Sequence, residues 1–121
     1  MFTMEFEYLE KVIIVEGKTD KEQIEDIIDD QVIILCTYGT FSIERFDELL
    51  EEYQLDDREV FILVDEDDAG VTLRKELARE LPHAGHIYIN GDYKEVATTP
   101  KDVLAPLLVA KYIHVRPHFL R

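Results

Sequence analysis

Val60-Phe61-Ile62-Leu63-Val64-Asp65-Glu66-Asp67-Asp68-Ala69-Gly70 is the stretch that decides the fold. Five consecutive apolar residues stop abruptly at acids. An unbroken apolar run of this length reads as a strand covered on both faces, as in a parallel sheet. The acids then lie at its carboxyl end, where open α/β sheets place their ligand crevices. Val12-Ile13-Ile14-Val15, followed by Glu16-Gly17-Lys18, repeats the pattern. Two buried strands thus each deliver carboxylates to one edge of a sheet. If the strands are neighbours, Glu16, Asp65 and Asp67 converge on one small volume.

Working outward, apolar runs alternate with amphipathic stretches, the pattern of βαβ units around a parallel sheet. Strands are expected at Lys11–Val15, Val32–Leu35, Val60–Val64 and His86–Ile89. With strands one and three adjacent the order is 2-1-3-4, and right-handed crossovers place helices on both faces. The expected fold is therefore a three-layer α/β/α sandwich. Thr19 and Glu22 have capping-box spacing for a first helix, with Ile24, Ile27 and Ile28 as its apolar stripe and an end near Asp29-Asp30. A second helix starts near Ser42 and carries Ile43, Phe46, Leu50 and Tyr53, with Leu49 beside them. A third begins at Ala69-Gly70, buries Leu73, Leu77 and Leu81, and stops at Pro82. Thr99-Pro100 opens a fourth. Pro106 should split that one into two short pieces covering Val103, Leu104, Leu107 and Leu108.

Composition sets outer bounds. A chain of 121 residues with 46% apolar content suits one domain over 1–121. Its core is expected at 11–97, with an N-terminal arm at 1–10 and helical pieces and a tail at 98–121. Cys36 is the only cysteine, so it has no disulfide partner and a reducing compartment fits. No basic n-region with an apolar h-region is visible, and no apolar run approaches the ~20 residues of a membrane span. The expectation is cytoplasmic, with no membrane contact.

The formal charge is −14, which disfavours tight non-specific binding to a phosphate backbone. Yet residues 111–121 hold three bases and two histidines and no acid. In the arm, Phe2, Met4, Phe6 and Tyr8 alternate with polar residues, as a strand would. The arm and the tail are therefore where a homo-oligomer or another partner would attach.

A carboxylate triad suits a hard cation. Mg²⁺ (or Mn²⁺) takes oxygen ligands, commonly one or two protein carboxylates plus a substrate phosphate. Asp65 and Asp67 are two apart and share a face on a straight strand. Without a cation the three acids repel, and at least one pKa should rise. The competing explanation for an acidic loop is a helix N-terminus, whose dipole favours carboxylates. It accounts for Asp68 and for Glu66, and less well for Glu16. Gly17 and Gly70 follow the acids, Gly39-Thr40 occupies the matching place after strand two, and Lys18 offers a point charge for phosphate. Taken singly, each of these glycines is an ordinary turn residue. Lys94 and Glu95 lie at the same end of the sheet. His83, His86, His114 and His118 show no zinc-ligand spacing with Cys36.

Val12-Ile-Ile-Val-Glu16-Gly17-Lys18-Thr-Asp20, followed by Leu63-Val-Asp65-Glu-Asp67-Asp-Ala-Gly70, resembles the Toprim domain. That domain is shared by type IA and type II topoisomerases, bacterial primases, some nucleases, RecR-type repair proteins and a ribosomal-RNA maturing ribonuclease. The resemblance spans about residues 11–97 and is nearest to small stand-alone bacterial and archaeal Toprim proteins and to that ribonuclease. It implies a central parallel sheet and Mg²⁺-dependent phosphodiester chemistry. It makes Glu16 the general acid or base, and Asp65 and Asp67 the metal pair. The chain departs from the larger members in lacking a cleavage domain with a tyrosine nucleophile and a primase zinc module.

Two functions follow. One is a Mg²⁺-dependent, nuclease-like enzyme acting on DNA or RNA. The other is a non-catalytic metal- or phosphate-binding module whose partner protein supplies the nucleic-acid surface. A phospho-receiver also puts acids at strand ends, but it needs an acidic pair after strand one, where this chain has Glu16 alone.

Overall fold

The computed structural model describes residues 9–38, 42–89 and 92–120. Most of the N-terminal arm, Gly39-Thr40 and Asn90-Gly91 lie outside the described residues. The sheet has four parallel strands, β1 (Lys11–Val15), β2 (Val32–Cys36), β3 (Val60–Ile62) and β4 (Gly85–His86), in the order β2-β1-β3-β4. β1 and β3 are direct neighbours, with Ile13 opposite Phe61 and Ile14 opposite Ile62. Among the described residues, four α-helices connect and flank the strands: α1 (Lys18–Ile27), α2 (Ile43–Glu52), α3 (Asp68–Glu80) and α4 (Lys101–Val109).

The period-two alternation of a strand sorts the core into two layers. Ile13, Val15, Phe61 and Leu63 face Ile24 and Ile27 of α1 and Leu104 and Leu108 of α4. Val12, Ile14, Val60, Ile62 and Val64 face Phe46 and Leu49 of α2 and Leu73 and Leu77 of α3. Both faces are buried, which is why these strands read as continuous apolar runs. Each fully buried Leu or Ile contributes about 1.5–3 kcal/mol.

Several local expectations are corrected. The β3–β4 ladder is short: β3 ends at Ile62 rather than Val64, and β4 spans Gly85–His86 rather than His86–Ile89. At the end of this ladder Arg74 extends from α3 and donates to the Ile62 carbonyl (3.1 Å) and the Ile87 carbonyl (2.9 Å). A guanidinium thus occupies the place where the two strands would go on pairing. The Thr19–Glu22 box does not form. Gly17 is the N-cap, and its N–H donates to Asp20 Oδ2 at 3.0 Å, so α1 starts before Thr19. α1 also ends at Ile27, short of Asp29-Asp30. On α2 the buried centre is Phe46 and Leu49, whereas Ile43 is 58% exposed.

Pro106 does not split α4. A proline removes only its own amide bond, here to the carbonyl of exposed Asp102, which water can satisfy. Burial of Leu104, Ala105 and Leu108 holds the helix across that gap. The tail is also less available than its composition suggests. Ile113 and Val115 are buried in the α1/α4 layer, and Arg116 N–H donates to the Ile27 carbonyl at 2.8 Å. Among the described residues, no helix is long and apolar enough to cross a membrane.

Candidate functional site

The carboxyl edges of β1 and β3 place the acids. Past the ladder, Leu63 N–H still donates to the Ile14 carbonyl. The next donor on that side, Asp65 N–H, takes Glu16 Oε1 instead, at 2.8 Å. The Glu16 carbonyl accepts from Tyr38 N–H beyond β2. Glu16 therefore ties the end of β1 to both neighbouring chain segments, by its side chain on one flank and its backbone on the other. Asp65 Oδ1 accepts from Val96 N–H at 2.8 Å. Beside that bond, Glu66 N–H donates to the Lys94 carbonyl at 2.7 Å. These two bonds fix the course of the loop after β4 and bring Glu95 to this end of the sheet. Asp67 is the N-cap of α3, its Oδ1 accepting from Gly70 N–H at 2.7 Å.

The three predicted acids share one arrangement. Each spends one carboxylate oxygen on a backbone amide, which fixes its orientation. The second oxygen has no hydrogen-bond partner among the described residues. Asp20 follows the same rule, with one oxygen on Gly17 N–H, and is only 8% exposed. Sequence reading assigned no role to Asp20. Its signal was present as Gly17-x-x-Asp20, a second capping spacing overlapping Thr19-x-x-Glu22.

Electrostatics marks the group as crowded. Burial pushes the Glu16 carboxyl above its ordinary range, and the Asp65, Asp67 and Asp20 charges push it further, against the Asp65 amide bond that lowers it. Asp65 is raised by burial, then by Asp20, Asp67 and Glu95, against the Val96 amide. Asp20 is raised by burial and by Glu95. Desolvation leads in all three and like charge adds to it.

The remaining predicted residues divide. A Cβ on Gly17 would meet nothing nearer than Asp20 Oδ2 at 4.0 Å, so the fold does not require glycine there and the space beside that carboxylate is open. Gly70 is the opposite case. A Cβ there would stand 1.9 Å from the Asp65 carbonyl oxygen, and its amide is already taken by Asp67, so Gly70 serves close packing of α3 on the strand end. Lys18 is exposed in the first turn of α1. Gly39 lies outside the described residues.

This donor set fits a hard divalent cation. It is oxygen-only, pre-oriented, and burdened with repulsion that a cation would relieve. Among the described residues, no three acids already stand at metal-holding spacing around one point. Mg²⁺ does not need three, since one or two carboxylates normally suffice.

Glu66 is directed elsewhere. Its Oε2 pairs with Arg74 at 3.2 Å. Arg74 also contacts His86 Nδ1 at 2.9 Å and lies under the Tyr88 ring, 4.2 Å from its centroid. Burial, with Arg74 and Lys111 nearby, holds His86 below its ordinary pKa. A neutral His86 can accept at Nδ1, as the Arg74 donor requires.

Comparison with known proteins agrees with this geometry. The Toprim domain profile matches residues 11–91. The chain is 45% identical over 117 residues to the uncharacterized protein YusF of Bacillus subtilis (strain 168), covering 97% of this chain and 79% of that protein. It is 27% identical over 111 residues to ribonuclease M5 of Fusobacterium nucleatum subsp. nucleatum, covering 86% of this chain and 60% of the ribonuclease. A small Toprim domain protein from Bacillus stearothermophilus superposes with a TM-score of 0.86 at 40% identity, over 94% of this chain and 95% of the other. Strand order, acid placement and these likenesses together make this chain a member of the Toprim domain family.

Proposed function

We propose that the chain is a Mg²⁺-dependent phosphodiesterase acting on nucleic acid, with Glu16 as general acid or base. The observation that carries this reading is the set of amide-pinned carboxylates at adjoining strand ends, where burial and the neighbouring acids raise the pKa of Glu16. A carboxyl with a raised pKa holds a proton nearer neutrality and exchanges it more readily there. Asp65 and Asp67 would hold Mg²⁺ or Mn²⁺ through their second oxygens, as Toprim domains generally bind Mg²⁺. The bound ion would neutralise charge developing on the phosphate oxygens. Lys18 would meet the phosphate beside the open space at Gly17. Likeness to a ribonuclease makes RNA the first substrate to test. The lone Cys36 suits a cytoplasmic setting.

The charge of −14 favours a second reading, a metal- or phosphate-binding module that works on DNA or RNA through a partner protein or as a homo-oligomer. The two separate cleanly. Purified protein is incubated with Mg²⁺ or Mn²⁺ and with single-stranded, duplex and structured RNA and DNA, alongside Glu16→Gln. Cleavage that the variant lacks supports the enzyme. No cleavage by either protein leaves the module, and equal cleavage by both removes Glu16 from catalysis.

A further inference from the structure

We propose that the Tyr88 ring is a stacking platform for one nucleobase of a single-stranded strand whose backbone passes the carboxylates. The proposal rests on the nucleic-acid reading above and adds a base-binding subsite to it. Tyr88 is 56% exposed, yet it stands between Ile87 and Ile89, exposed by only 2% and 5%. Its backbone is therefore anchored in the core while its ring is presented outward. The ring is backed on its inner side. Arg74 lies 4.2 Å from the centroid, and His86 stacks at 5.8 Å with planes 22° apart. Arg74 itself is fixed by the Ile62 and Ile87 carbonyls, Glu66 and His86. A guanidinium held by four partners does not swing out to a ligand. It locks the ring and leaves the outer surface of Tyr88 as the available face.

Placement links this ring to the acids. Ile62 pairs with His86 in the β3–β4 register, so Tyr88 lies as far past that pair as Val64, the residue before Asp65. The Arg74–Glu66 ion pair bridges the ring's support to the loop carrying Asp65 and Asp67. Among the described residues β4 is an edge strand, and no further strand flanks Tyr88.

Charge decides what such a ring would bind. A protein at −14 gains little from phosphate contacts, which rely on clustered bases. Stacking on an aromatic face does not depend on net charge, and every base offers a π-face. In a duplex those faces are already occupied by neighbouring bases, so the occupant is an unpaired base in a single strand or loop.

The test measures binding by fluorescence anisotropy, with Mg²⁺ present, in the Glu16→Gln background so that the strand stays intact. The probes are a short labelled single-stranded RNA of mixed sequence and an abasic strand with the same number of phosphates. Tyr88→Ala should weaken binding of the base-bearing strand by about 5- to 150-fold and leave the abasic strand unchanged. Tyr88→Phe should bind as the parent does. Thermal melting confirms that both variants fold, as expected for a side chain more than half exposed. Undiminished binding by Tyr88→Ala, equal loss on both strands, or no binding of either strand by the parent overturns the platform. The two proposals fail separately. Base-dependent binding through Tyr88 without any cleavage by the wild type removes the enzyme and keeps the platform. Normal cleavage with indifference to Tyr88→Ala does the reverse.

Discussion

Gly70→Ala sets two opposing effects against each other, and the structure decides between them. In an isolated helix the change is favourable by about 0.8–1 kcal/mol, because alanine is the better helix former. Here the new Cβ would stand 1.9 Å from the Asp65 carbonyl oxygen and 2.7 Å from its carbon, against 3.4 Å for ordinary contact. The shortfall to the oxygen is about 1.5 Å, and the obstacle is backbone, which cannot swing aside as a side-chain tip can. Either α3 lifts from the strand end or the Asp65 loop moves. Overpacking of this kind costs about 1–3 kcal/mol and sometimes more, and the disturbed cap at Asp67 adds ~1 kcal/mol. The steric and capping losses exceed the propensity gain, for a net destabilisation of about 1–3 kcal/mol. Urea unfolding followed by circular dichroism measures it. The same displacement should blunt any Mg²⁺-induced shifts of the Asp65 and Asp67 amides in NMR spectra. A variant as stable as wild type, or more so, would show that α3 does not pack against Asp65 this closely.

Three further outcomes are expected. The folded-state pKa of Asp20 is raised, so the folded protein binds the extra proton and stability falls as pH climbs from the unfolded value of 3.8 through the folded one. Asp20→Asn should therefore melt higher than wild type at pH 7, with the gain vanishing below pH 3.8, and a lower melting temperature at pH 7 would refute the crowding. Arg74→Met removes the donor to the Ile87 carbonyl and the partner of Glu66, and should cost about 2–4 kcal/mol in urea unfolding; a loss under 0.5 kcal/mol would mean the guanidinium does not join β3 to β4. Ile113→Ala should cost about 2–5 kcal/mol whereas Tyr112→Ala, at an 83% exposed position, stays within about 0.5 kcal/mol. Equal small effects at both would mean that the tail does not pack on the domain.

The sheet was legible because its strands are covered on both faces, and burial on both faces leaves an unbroken apolar run. Val12–Val15 and Val60–Val64 announced themselves in this way, and adjacency of β1 and β3 was expected from the acids at their matching ends. What escaped notice depends on single polar groups that tertiary contacts turn inward. Arg74 follows Leu73 on the flank of an apolar stripe, and no local pattern says that its guanidinium enters between β3 and β4. Two capping spacings overlapped at the start of α1, and the end of β1 at Val15 selected the earlier one. Pro106 obeyed its local cost but not its local consequence, because burial of Leu104 and Leu108 outweighs one lost hydrogen bond. At the site, Glu16, Asp65 and Asp67 stood out as acids after buried runs. Asp20 and Glu95 join them only through the fold, one from the first turn of α1 and the other on a loop tied back to Asp65 and Glu66.

A titration with Mg²⁺ tests the central claim, that the pinned carboxylates at the ends of β1 and β3 hold a divalent cation. Backbone amide spectra of wild type, Asp65→Ala, Asp67→Ala and Lys18→Ala would be followed as the ion is added. The account predicts weak, saturable shifts centred on Glu16, Asp65 and Asp67, lost in both aspartate variants and retained in Lys18→Ala. Shifts that persist unchanged in Asp65→Ala and Asp67→Ala would contradict it and place the metal elsewhere.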